Sequence, residues 1–159
     1  KDADEYAMAG NYYNTSKAGL MFRNAMNKLG VESIMTSMTK HVAANVGDDA
    51  GSELVTVNWD INVSNPAEFL PLWMELSKST EKYDWNADAC GVQQHMLGNN
   101  GNGITHNVWC VFSSPQAALS FLDNYTTVPE FAEYSAKVSE HRTFLRSHMA
   151  YLVKEYNPD

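Results

Sequence analysis

Amides and aromatic rings recur at alternate positions of this chain, with one carboxylate among them. Residues 54–63 alternate strictly: Val55, Val57, Trp59, Ile61 and Val63 fall on one side, Thr56, Asn58, Asp60 and Asn62 on the other. A period of two with one apolar face is the pattern of a strand packed on helices on one side only. Two further segments share the layout, and transferring the faces sets Asn11, Tyr13, Asn107 and Trp109 beside Asn58 and Asp60. A strand folded back over Asn100-Gly101 adds Gln94 and Met96 if its turn is symmetric. A few polar groups among aromatics on a concave sheet face make a small-molecule pocket. Asn58, Gln94 and Asn107 would orient the ligand, Trp109 would stack on it, and Asn11 and Tyr13 would complete the wall. Asp60 would act as a base if desolvation raised its pKa. The same face, solvated or filled by a second copy of the chain, would need no ligand.

Histidines offer a second constellation. The symmetric turn sets His95 opposite His106, and His141 lies on the stripe Tyr134, Val138, His141, Leu145. Three converging imidazoles would suit Zn²⁺, but no His-x-x-x-His, Cys-x-x-Cys or two-His-one-carboxylate spacing accompanies them. No metal and no cofactor is therefore assigned. Cys90 and Cys110 read as reduced core residues, and a disulfide requires a register that sets them opposite. The acidic run at 47–51 lacks the alternate ligands of a calcium loop. There is no glycine-rich phosphate loop before a helix and no Gly-x-Ser-x-Gly elbow.

These side chains are positioned by what reads as a repeat. Regions near 6–38, 55–97 and 104–156 each run strand, short polar stop, amphipathic helix, return strand. The helix starts Lys17, Pro66 and Pro115 are separated by two equal intervals of 49 residues. Asn65-Pro66 and Ser114-Pro115 pair a capping side chain with a proline whose missing N–H costs nothing at that position. Return strands are expected at 31–38, 91–97 and 150–156, and an additional helix at 129–146. A single domain over 1–159 follows: α+β, a ferredoxin-like antiparallel sheet with helices on one face, extended by an additional βαβ-like unit.

The stretches VTVNWDINVSNPAEFLPLWMEL and CGVQQHMLGNNGNGITHNVWCVFSSPQAALSFL resemble the dimeric α/β-barrel superfamily, which includes antibiotic-biosynthesis-monooxygenase-type and stress-responsive barrel proteins. The features that carry this are the strand led by Gly91, the hairpin, an aromatic-bearing strand ending in Ser113-Ser114-Pro115, and an Ala/Leu helix. The resemblance covers about two thirds of the chain. It implies a homodimer packed sheet face on sheet face and a ligand on that face, some members taking haem or aromatic polyketide-like substrates. Asn58 and Trp109 resemble the Asn/Trp pair of the haem-degrading members. The histidine expected on the next helix has no counterpart in 115–122, which speaks against haem degradation.

Composition narrows the partners. The chain has 159 residues, 44% apolar and 19% charged, with a formal charge of −8. Eleven basic against nineteen acidic residues argue against nucleic acid or an anionic membrane as the main partner. No apolar run approaches the roughly 20 residues of a membrane-spanning helix. Compartment stays open, with a soluble cytoplasmic chain favoured over an exported one. The expectation is a small-molecule-binding protein or cofactor-independent monooxygenase-like enzyme acting on a hydrophobic or aromatic molecule. The alternative is a non-catalytic dimeric domain of structural or interaction role.

Overall fold

Five β-branched residues in nine make Val55–Val63 the most strand-prone segment of the chain, and the structure is organised around it. In a computed structural model, residues 8, 11–12, 14–30, 38–46, 55–83, 85, 87–97 and 103–151 are described. The chain divides into two compact units, Lys1–Thr36 and Ser37–Asp159. The expected acidic loop at 47–51, the tip of the 98–103 hairpin up to residue 102, and Tyr13 lie outside the described residues, as do 31–37 and 152–156 of the expected return strands.

The first unit contributes helix α1, Lys17–Lys28. Ser16 caps it, its hydroxyl accepting the Gly19 N–H at 3.0 Å, and Gly30, with φ of 68°, follows its end. A strand is expected ahead of it, at residues 6–13, of which 8, 11 and 12 are described. Met8, Asn11, Tyr12, Asn14 and Thr15 are helical. Residues 6–13 contain no β-branched side chain, and Ala and Met favour a helix as readily as the weak alternation favours a strand. Among the described residues ahead of β1, the N-terminal extension is helical.

The second unit runs β1 (Met38–Val46), β2 (Val55–Val63), α2 (Pro66–Thr80), β3 (Ala87–Leu97), β4 (His106–Phe112), α3 (Pro115–Asn124), a 3-10 turn (Tyr125–Thr127), α4 (Pro129–Val138) and β5 (Arg142–Tyr151). The sheet order is β1-β3-β4-β2-β5, antiparallel throughout. From β2 to β5 this is the ferredoxin-like plan, and the extension of the sheet is the single strand β1 on its β3 edge. Val55, Val57, Ile61 and Val63 are buried against Phe69 and Trp73 of α2, Phe121 of α3, and Tyr134 and Val138 of α4. Ser114 caps α3 through the Ala117 N–H. Asn65 stands at the cap position of α2 without a side-chain bond, Pro66 following it.

Two expectations shift at the C-terminal half. The helix expected at 129–146 ends at Val138, and 142–146 are strand. The stripe Tyr134–Val138–His141–Leu145 has helical spacing, but β2 has an unpaired edge, and pairing it with β5 satisfies a full ladder of backbone groups. His141 consequently leaves the helix and sits in the turn, its N–H bonded to the Val138 carbonyl. The hairpin register also differs by one residue: His106 faces Gln94, not His95. The register is centred on residue 100 and not between 100 and 101. Because side chains alternate, Gln94 moves to the helix side and His95 away from it. The same register sets Cys90 opposite Cys110, and they form a disulfide.

Candidate functional site

Rings that the helices and the sheet both direct inward do not close on one another completely. They surround a cavity of about 880 Å³ between the sheet and its helices. Trp59 and Ile61 of β2, Val108 of β4 and the Cys90–Cys110 disulfide form its floor. Trp73, Leu76 and Ser77 of α2 form one wall, Phe121 and Tyr125 another, and Phe131, Tyr134 and Ser135 of α4 a third. The rings are in continuous contact. Tyr83 stacks on Trp85 at 5.4 Å, Trp85 meets Phe121 at 5.3 Å, Phe121 stacks on Tyr125 at 5.0 Å, and Tyr125 meets Phe131 at 4.9 Å. Trp59 approaches Phe121 and Tyr125 from the sheet at 6.1 and 5.9 Å. Such a wall presents both faces and edges of π-systems, which suits a flat apolar guest.

Polar groups sit at defined points of this wall. Arg142, the first residue of β5, lies over the Tyr134 ring with its guanidinium carbon 5.7 Å from the centroid. Burial pushes the Tyr134 phenol above its ordinary range, and the neighbouring Arg142 pulls the other way. The phenol is thus a neutral hydrogen-bonding group at neutral pH. At the rim, Lys82 pairs with Glu130, and Tyr83 donates its hydroxyl to the other Glu130 oxygen at 3.0 Å. The Lys82 ammonium holds the Glu130 carboxyl below the usual range, and Glu130 raises Lys82 in return. Asn45 of β1 bridges Ser77 and Glu81, at 3.3 Å each.

The opposite face of the sheet carries most of the residues that the alternation singled out. Asp60, 5% exposed, accepts hydrogen bonds from Asn107 at 3.0 Å and from Arg146 Nε at 2.6 Å, with His148 3.9 Å away. Asn58 and Trp109 are direct cross-strand partners. Trp109 lies on Gly91, where an added Cβ would come within 2.4 Å of the indole, and meets the His41 ring at 5.5 Å. Asn58, Asp60, Asn107 and Trp109 are therefore brought together as expected. Gln94 is not, because of the register, and Asn11 is an exposed helical residue of the first unit. None of these six lines the cavity. The three histidines do not converge either. His106 is buried on the helix side 6.3 Å from the Phe69 ring, His141 is in a turn, and no group of three His, Cys, Asp or Glu among the described residues is placed to hold a metal ion.

The cavity residues escaped sequence reasoning because strand alternation marks a face and says nothing about voids on the other one. The concentration of rings on the helix side, Trp59, Trp85, Phe121, Tyr125, Phe131 and Tyr134, is the one available signal. Arg142 carried none while 142–146 read as helix.

No family model matches the chain, and no curated protein matches it. Among solved structures, a candidate monooxygenase from Fusobacterium nucleatum subsp. nucleatum superposes with a TM-score of 0.57 at 13% identity. The match covers 92% of this chain and 63% of that one, so the chain spans under two thirds of that protein's length. A haem-degrading enzyme from Listeria monocytogenes gives 0.47 at 13% identity, covering 82% and 92%, and a candidate monooxygenase from Lactobacillus acidophilus 0.45 at 8%, covering 72% and 48%. The α+β fold of monooxygenase-type proteins is thus shared, with the ferredoxin-like arrangement expected from the resemblance.

Proposed function

We propose that the second unit binds a flat, largely apolar small molecule in the cavity between helices and sheet. The observation that carries this is a contiguous wall of aromatic rings around about 880 Å³ of space, the size range of small-molecule sites. The pocket first expected on the open face thereby moves to the other side of the same strands. A cofactor-independent monooxygenase-like activity is the finer reading, supported by the fold likeness alone. In such a reaction the substrate itself supplies the electrons that reduce dioxygen. Haem fits this cavity poorly, since no histidine is among the described residues lining it. Native mass spectrometry of the purified chain tests the binding reading. A retained small molecule is expected, and Ser135→Phe, which projects a ring into the void from α4, should abolish its retention. Equal retention by the variant would overturn the assignment.

A second reading concerns the open face. Every helix of the second unit packs on the other side, and Arg146 neutralises Asp60 on the exposed side. That face is our proposed surface for the homodimer. Asn58→Lys places a like charge on each copy and should shift a dimer to monomer in analytical ultracentrifugation. A wild-type chain that sediments as a monomer at high concentration would rule the dimer out.

A further inference from the structure

The two cysteines of the chain are joined in one bond, and that bond lies in the floor of the cavity. Its two ends are not equally sheltered. Cys110 is 5% exposed, sits between Val57 of β2 and Cys90 across the sheet, and packs with Phe112, Ala118 and Phe121. Cys90 is only half-buried. Its neighbour on the other side is Asn45 of β1, whose amide donates to Ser77 and Glu81 at the rim. Glu81 and Lys82 both line the cavity and are exposed, so the space opens to solvent on the Cys90 side. The open face of the sheet offers no such approach. Side chains alternate, and the next pair along these strands turns the Trp109 indole onto Gly91 on that face.

We propose that Cys90 is an exchange site for an aromatic thiol that enters through the cavity. The incoming thiol gives its proton to water, and its sulfur attacks Cys90 Sγ. The Cys90–Cys110 bond breaks as the new sulfur–sulfur bond forms, and Cys110 leaves with the electron pair and takes a proton from water. One mixed disulfide and one thiol result, and the number of sulfur–sulfur bonds is unchanged. Access selects the sulfur that is attacked, and the route from the rim reaches Cys90 before Cys110. Trp59, Trp85 and Phe121 line that route, which favours an aromatic thiol over a charged, peptide-like one. The adduct fills floor space that a bound small molecule needs, so modification and binding exclude each other. The proposal rests on the cavity reading for its path of entry, and not on the identity of the ligand.

Exposure of the oxidised full chain to benzyl mercaptan, and separately to glutathione, without denaturant tests this. Acid quenching and peptide mass mapping locate the adduct, which is expected on Cys90 with Cys110 as the free thiol. Each rate is divided by that of the same thiol with bis(hydroxyethyl) disulfide, which removes intrinsic reactivity. Benzyl mercaptan should then exceed glutathione by roughly tenfold or more. Ser135→Phe, which fills the void, should slow benzyl mercaptan by at least about tenfold. An adduct on Cys110, no adduct on Cys90, or equal normalised rates for the two thiols would overturn the exchange site. These are wild-type readouts and stand even if the variant fails to fold. A folded variant that loses small-molecule retention but reacts as fast as the wild type would overturn the exchange route and leave the cavity reading standing. Retention and rate both unchanged in that variant would sink both.

Discussion

Gly91 and Trp109 make a contact that leaves no room for a methyl group. A Cβ at position 91 would sit 2.4 Å from the indole and 2.9 Å from the Ala43 carbonyl oxygen, which belongs to the neighbouring strand and cannot swing away. Gly91→Ala should therefore cost about 1–3 kcal/mol, the usual range for overpacking. Trp109→Ala in the same chain should recover part of this loss, a coupling that thermal melts of the four-membered cycle would read. His106 makes a different prediction. Burial, and secondarily the nearby His95, hold its imidazole below the ordinary 6.5. The unfolded chain takes up a proton as the pH falls through about 6.5, and the folded chain resists until lower pH. Stability from this group is complete above that value and declines on acidification. Tm should fall between about pH 7.5 and about pH 5.5, and His106→Gln should flatten that decline. An unchanged slope in the variant would assign the effect elsewhere.

The disulfide belongs to the β3–β4 pair. It closes a loop with a sequence separation of 20, and loops of that length are stabilised by roughly 3 kcal/mol when crosslinked. Cys90→Ala with Cys110→Ala, or reduction of the wild type, should lower stability by about that amount in denaturant titration. Its existence was legible only conditionally, since the two cysteines are opposed in one register and not in the next. The strand β2 was readable because its apolar residues alternate without exception. The starts of α2 and α3 were readable because proline marks them. β1, with Ala43, Ala44 and Asn45 in place of alternating apolar residues, gave no signal. β5 was misread because its first residues continue a helical stripe, and only the open edge of β2 decides between the two. Four of the open-face residues were found from alternation alone. The cavity was not, because it depends on how three helices pack across the sheet.

For the molecule as a whole, the division at residues 36 and 37 is the feature with most experimental reach. Among the described residues, the Ser37–Asp159 unit holds the five-stranded sheet, the two clusters of buried apolar side chains and the residues lining the cavity. A chain of residues 37–159 should fold cooperatively and, in native mass spectrometry, should retain the same small molecule as the full chain. Loss of the cooperative melt would show that the first unit is needed for the fold. The Cys90–Cys110 bond finally changes what a protease can do to this protein. Any single cut between residues 91 and 109 leaves two pieces joined through sulfur. The nicked chain runs as one species on a non-reducing gel and separates into two only after thiol is added.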